Sequence, residues 1–380
     1  MGAELFLLDD GWFGNGPYSR DDDKHGLGDW EPSTKKLPRG LSYIAKEALK
    51  RKVDFGIWLE PEMVNPQSEL YQKHPDWIIT QPKRTPILGR HQEILDLTRP
   101  EVQAFEWQVI DKTLRPNPDI SYVKWDCNRY ITQPGSGYLQ PAEQSHLWID
   151  YNWALYRLME RFSKEFPNVM AMLCAGGSGR VDYGALPYFH SFWPSDNTDP
   201  LGRIKIQWGF SHFFPASTIS AHVTRMGKRH LKLAIDVALS GAFGIDLALD
   251  KATAEERVQI ADAVKLYKAS IRPLVMQGEL YRLVSPYEHP MASLSYVSTD
   301  KNDAVVYLYQ IQDGSVPQVI LGGLDARKNY RVEEVGLPKG STSRFPGHGK
   351  IFSGAELMST GIANPLNAQF ESAILLLKTQ

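Results

Sequence analysis

From residue 3 to about residue 270, short apolar runs rich in β-branched residues alternate with stretches of helical period, which restricts the chain to an α/β architecture on a parallel sheet. Strands are expected near Glu4–Leu8, Phe55–Glu60, Tyr122–Asp126, Val169–Cys174, His190–Trp193, Ile219–Val223 and Phe243–Leu247. Amphipathic stretches at Gly40–Arg51, Glu101–Leu114, Glu143–Phe166, Lys228–Leu239 and Ala254–Ser270 are long enough to be crossover helices. Such repetition suits a closed (β/α)8 TIM-type barrel better than an open sheet, and the seven visible strands leave that barrel one short. From Met291 the texture changes to closely spaced strand-like runs, Ser293–Val297, Ala304–Gln310, Gln318–Gly322, Tyr330–Glu334 and Ala373–Lys378, separated by Asp, Gly and Pro turns. They predict a small antiparallel β-sandwich domain. Ser285-Pro286 and His289-Pro290 punctuate the junction, so the expected domains are 1–286 and 287–380.

Composition removes several function classes. Lys plus Arg number 42 against 44 Asp plus Glu, a formal charge of −2, and no polybasic run offers a surface for nucleic acid. No apolar run reaches the roughly 18 residues that a bilayer span needs, so a soluble protein is expected. Met1-Gly2 lead straight into an apolar strand without a basic segment or small-residue cleavage site, so no secretory signal is read, and either a cytoplasmic location or a missing true start is expected. Two cysteines, Cys127 and Cys174, exclude a disulfide scaffold and any four-cysteine metal site. The histidines show no H-E-x-x-H pattern and Asp21-Asp22-Asp23 lacks the rest of an EF-hand loop, so no metal or other cofactor is expected. Neither a dinucleotide fingerprint, a P-loop nor a G-x-S-x-G elbow is present.

In a barrel the catalytic groups stand at the C-terminal strand ends, and here those ends carry carboxylates. Leu8-Asp9-Asp10-Gly11 places two acids at a glycine-bearing turn, where they serve either a ligand or the turn itself. In Lys124-Trp125-Asp126-Cys127-Asn128, side chains 124, 126 and 128 share one face because a strand repeats every two residues. Burying a cation, an anion and an amide together requires either a shared polar ligand or a structural Lys–Asp pair. Cys174-Ala175-Gly176-Gly177-Ser178-Gly179 ends a strand in unshielded backbone amides, which can hold an anion or let a ligand approach closely. Trp193-Pro194-Ser195-Asp196-Asn197-Thr198-Asp199 again follows a strand; Asp199 is either a site acid or a helix N-cap. Paired carboxylates with aromatic walls and no metal or nucleotide signal match the needs of glycoside hydrolysis.

These clusters, together with Gly28-Asp29-Trp30 and Trp58-Leu59-Glu60-Pro61-Glu62-Met63, resemble the retaining α-galactosidases of glycoside hydrolase family 36, in the family's order and over the whole chain from residue 3. The resemblance implies that Asp126 is the nucleophile and Asp196 the general acid/base, the latter protonated when substrate binds and raised in pKa by apolar neighbours such as Trp193. It implies that Asp9, Asp10, Lys124, Asn128 and Arg90 hold the hydroxyls of a terminal galactose. Trp58 and Trp193 wall the pocket, and Cys174, Gly176 and Gly177 line its 2-position. The expected partner is an oligosaccharide of raffinose or melibiose type, with no nucleic acid or membrane. The family barrel starts with an earlier strand and helix behind an N-terminal β-sandwich, so the resemblance implies an N-terminally incomplete barrel with exposed strand edges. The family's self-association draws on that same region, which leaves a homo-oligomer as a property of the full-length protein. Ala175 and Ser178 stand where better-known forms carry Ser and Gly.

Four other readings remain open on sequence alone. An α-N-acetylgalactosaminidase would use the same scaffold with a roomier 2-position. A transglycosylase would pass the same intermediate to a sugar. Lys124 as a Schiff-base lysine is disfavoured by Asp126 two residues on, which favours its charged form. A catalytically silent fragment would bind galactosides without turnover.

Overall fold

The computed structural model describes residues 2–380, and the chain forms two units, 3–193 and 194–380, the second including Gly2. The first unit contains β1 (Leu5–Leu8), α1 (Gly40–Lys50), β2 (Asp54–Leu59), β3 (Met63–Val64), α2 (Glu69–Lys73), β4 (Glu93–Ile94), α3 (Pro100–Leu114), β5 (Ile120–Trp125), α4 (Leu147–Glu165), β6 (Met170–Leu173) and β7 (Ser191–Phe192). Strands β1, β2, β5, β6 and β7 make one parallel sheet in chain order, with β3 and β4 paired antiparallel beside it in sequence. Phe55, Ile57, Leu59, Val123, Trp125, Ala171 and Leu173 are buried at alternate positions of their strands, and on β2 Gly56 and Trp58 of the other face are buried as well. Trp125 meets Phe162 of α4 edge to face at 6.1 Å. β1 lies at the sheet edge and exposes Leu5 and Phe6.

The second unit contains α5 (Pro200–Phe210), β8 (Ser220–Val223), α6 (Leu231–Ala238), β9 (Ala242–Ile245), α7 (Ala254–Leu266), α8 (Arg272–Gln277), β10 (Glu279–Val284), β11 (Met291–Val297), β12 (Asp303–Gln310), β13 (Gln318–Val319), β14 (Asn329–Val335), β15 (Ile351–Ser353), α9 (Gly354–Ser359), β16 (Ile362–Ala363) and β17 (Ser372–Thr379). β8 and β9 pair in parallel, so all seven expected parallel strands are present, five in one sheet and two here. The antiparallel sheet has the order β10-β11-β12-β17-β14-β15. Its alternation is visible on β12: Val305, Tyr307 and Tyr309 join a core with α6, while Ala304, Val306 and Leu308 join another with β13, β16 and α9. Tyr296, Tyr307 and Tyr309 donate their hydroxyls to the carbonyls of Ser240, Leu239 and Asp236, so the sheet satisfies carbonyls in the last turn of α6 and just past its end. The expected junction at 286/287 falls between β10 and β11 of this unit.

Several expected bounds shift for local reasons. β5 ends at Trp125, so Asp126 stands on the loop beyond it. β7 is cut to two residues ahead of Pro194, which has no N–H for a ladder. The expected helix Ala254–Ser270 ends at Leu266 and passes through a π-turn, Tyr267–Ile271, into α8, whose Pro273 cannot donate to the preceding turn.

Asp199 is the N-cap of α5, its carboxylate accepting the Leu201 N–H at 3.3 Å. Gly227 makes room for it: φ is +73°, and a Cβ there would come within 2.3 Å of Asp199 Oδ1. Gly227→Ala should therefore cost about 2 kcal/mol, from left-handed strain plus a disturbed cap, read as a lower urea midpoint. An unchanged midpoint would show that the cap has slack.

Candidate active site

Asp126 is 4% exposed, at a turn that begins where its own N–H bonds Leu59 O at 2.7 Å. Its Oδ2 accepts Trp58 Nε1–H at 3.0 Å and its Oδ1 accepts the Cys127 N–H at 2.8 Å. Burial works against the charge, but the Lys124 ammonium, Trp58, and the side chains of Asn128 and Cys174 outweigh it, so the carboxyl titrates below the usual aspartate range. Burial and the Asp126 charge in turn push the Cys174 thiol up, so it remains an S–H donor.

Lys124 makes its direct ion pair with Asp9, Nζ to Oδ2 at 2.8 Å, not with Asp126 as a structural Lys–Asp pair would require. Its Nζ also lies 5.9 Å from the Trp193 ring centroid. Burial lowers the stability of its charge, and Asp9 and Asp126 more than restore it, which holds the ammonium protonated beyond the normal lysine range. Lys124 thus bridges the ends of β1 and β5.

Asp10 faces away from this bridge into Arg20, which is 2% exposed and grips both carboxylate oxygens, Nε–Oδ1 at 3.0 Å and Nη2–Oδ2 at 2.7 Å. Arg20 spends its remaining N–H groups on Asp22 O, His25 O and Asn65 Oδ1. Asp10 is therefore a pinned acceptor.

Gly176 and Gly177 have φ of +56° and +99°, and the Ala175 N–H closes the turn onto Gly177 O at 2.7 Å. Gly176 sits beside Asn128, whose Oδ1 would lie 3.9 Å from an added Cβ. Arg90, also at positive φ, is exposed on a loop that Arg129 ties down by donating to Ile87 O while pairing with buried Glu93 at 2.9 Å. Arg90 Nε is 3.6 Å from Asp23 Oδ2. Burial pushes Glu93 up to about 6 against the pull of Arg129.

The structure brings Asp9, Trp58, Lys124, Asp126, Asn128, Cys174 and Trp193 together and sets Asp10 and the glycine turn around them. Asp196 belongs to the second unit and is exposed. Its charge supports Arg203, whose guanidinium burial pulls down to about 10. Among the described residues, no group of three or more His, Cys, Asp or Glu is placed to hold a metal ion.

Sequence reasoning passed over Glu60. It is fully buried, and burial together with the Asp126 charge pushes its carboxyl up to about 8. The available signal was the period of two that puts Glu60 on the Trp58 face of β2. Also missed was a buried set behind Trp125, where Glu62 accepts from Arg180 Nη1 at 2.5 Å, Tyr151 OH at 2.8 Å and Trp125 Nε1 at 3.2 Å.

Comparison with known proteins gives two family matches, Melibiase over residues 1–278 and the glycosyl hydrolase family 36 C-terminal domain over residues 291–377. The chain is 40% identical over 374 residues to α-galactosidase AgaA of Geobacillus stearothermophilus, covering 96% of this chain and 49% of AgaA. It is similar in structure to α-galactosidase AgaB of the same organism, with a TM-score of 0.91 and 40% identity over 100% of this chain and 51% of that one. A variant of AgaA solved with raffinose gives a TM-score of 0.90 and 38% identity over 99% of this chain and 51% of that one. The chain spans about half the length of these relatives.

Proposed function

The chain belongs to the melibiase family, and we propose that the residues around Asp126 form the site of a retaining, exo-acting glycosidase that removes terminal α-D-galactose from oligosaccharides of the raffinose type. The observation that carries this reading is the ionised, buried Asp126, held by four donors and a nearby cation. A nucleophilic carboxylate has to be charged at rest and has to reach the anomeric carbon without water competing.

In the first step an oxygen of Asp126 bonds to the anomeric carbon as the glycosidic C–O bond breaks, and a general acid protonates the departing oxygen, the role that the resemblance to family 36 implies for Asp196. In the second, the same group as its conjugate base takes a proton from water, whose oxygen attacks the same carbon and releases Asp126 as carboxylate. Lys124, Asp9 and Asn128 supply hydrogen bonds for ring hydroxyls, and Trp58 and Trp193 the walls. A site that pairs the axial hydroxyl rejects glucose, because its buried polar groups would otherwise go unpaired. The raffinose complex of a relative supports the substrate class.

Two displacements conserve configuration. Proton NMR of 4-nitrophenyl α-galactoside hydrolysis should show α-galactose forming first and β-galactose appearing only by mutarotation. β-Galactose as first product would exclude a covalent intermediate on Asp126. A second reading, galactoside binding without turnover, is favoured by the half-length match, and a folded chain that binds galactose yet releases no nitrophenol would establish it.

A further inference from the structure

The two displacement steps leave Glu60 unused, although it is buried against the nucleophile's turn. Its Oε1 accepts the Asn128 backbone N–H at 2.5 Å, the carboxyl also bonds the Asn128 side chain, and its Oε2 lies 3.2 Å from Gln92 Nε2. The Asn128 side chain also bonds Asp126. Glu60 therefore grips one end of the Asp126-Cys127-Asn128 turn while Asp126 occupies the other.

The charged and titratable groups that bear on Glu60 are Asp126 and the Cys127 thiol from the loop after β5, and Arg90 from the loop before β4. Arg90 is exposed and shares its charge with Asp23, so solvent screens it. Two carboxylates on one buried turn repel, and the donors decide which of them ionises. Asp126 has Trp58, the Cys127 N–H, Cys174 and the Lys124 ammonium. Glu60 has the Asn128 and Gln92 groups and stays neutral up to about 8.

We propose that Glu60 is a positioning residue of this site, a carboxylic acid that anchors the Asp126–Asn128 turn and gives up its proton more readily once Asp126 no longer carries its negative charge. This deepens the galactosidase reading and rests on it for its catalytic meaning. Once Asp126 is esterified its charge is gone, and the Glu60 O–H bond can ionise, its proton passing to solvent and returning when the ester is hydrolysed. A negative charge on Glu60 is then opposed by burial alone and no longer by Asp126 as well.

Infrared titration in D2O of the whole chain tests this without turnover, using the C=O band of protonated carboxylic acids. In the wild type a band should disappear with a midpoint near 8, and Glu60→Gln should lack it. Gln keeps an acceptor for the Asn128 N–H, so the turn is preserved. Asp126→Asn, which mimics the uncharged ester, should move the midpoint down by about one pH unit or more. A wild-type spectrum identical to that of Glu60→Gln, or a midpoint unmoved in Asp126→Asn, would overturn the proposal. If Glu60→Gln fails to fold, the shift between wild type and Asp126→Asn decides, because Glu60 is the carboxyl among the described residues whose raised titration depends on Asp126. Failure here is separate from failure of the nucleophile assignment, which is read by azide rescue at Asp126.

Discussion

Asp126→Gly is expected to lower release of nitrophenol from 4-nitrophenyl α-galactoside by about ten-thousand-fold, and added azide should restore it with β-galactosyl azide as product. The substitution removes the attacking oxygen and leaves the hydroxyl-binding groups, since Lys124 keeps its pair with Asp9. The turn also keeps its start, because the residue 126 N–H bonds Leu59 O through the backbone. Nitrophenolate leaves without much protonation, so the first step then lacks only a nucleophile. Azide fits the space vacated by the carboxylate and attacks from the same side, which inverts the anomeric carbon once instead of twice. Full activity in the variant, or α-galactosyl azide as product, would remove Asp126 from this role.

The residues that were legible from sequence are those whose chemistry is wrong for a buried strand end. Lys124, Asp126 and Asn128 stand out because a covered parallel strand carries aliphatic side chains there, and in the structure they lie together although Asp126 is past the end of β5. What pairs with what was not legible. Lys124 finds Asp9 at a separation of 115 residues, and Asp10, chemically identical to Asp9, is taken instead by Arg20. Arg20 precedes the run Asp21-Asp22-Asp23, which looks like a solvated loop, yet its guanidinium is buried. Glu60 stands inside a motif yet its role was missed, because the groups it bonds, the backbone and side chain of Asn128 and the side chain of Gln92, lie 68 and 32 residues away in the chain. Glu106 reads as one more acid on the amphipathic helix α3, but it is fully buried and held protonated by burial and by Glu62. The fold was more legible than the site, since strand and helix periods are local, while charge pairing is fixed only when distant strand ends meet.

Lys124→Met should move the acid limb of kcat/KM to higher pH, because the cation that favours the Asp126 anion is gone. It should also lower the plateau by roughly ten- to a hundred-fold, through loss of a charged hydrogen bond to the sugar. Methionine is close to lysine in length and keeps apolar contact near Trp193, so what is removed is chiefly the charge. Asp9 is half exposed and can take water in place of the ammonium; Asp126, at 4% exposure, cannot. Burial pushes the Asp126 carboxyl up, and Lys124 is the largest influence holding it down, so without the cation burial is opposed only by Trp58, Asn128 and Cys174. The nucleophile works as the anion, whose fraction grows as pH rises through its pKa, and a raised pKa therefore displaces the acid limb upward. Stability follows the same sign. In the wild type the lowered Asp126 pKa adds stability above the unfolded value of about 3.9, lost as pH falls through the folded value. In Lys124→Met the folded pKa rises, so less of this stability is gained on ionisation, and the variant's urea midpoint should fall relative to wild type as pH rises from 4 to 7. An acid limb that stays in place would mean that hydrogen bonds alone, not the Lys124 charge, keep Asp126 ionised.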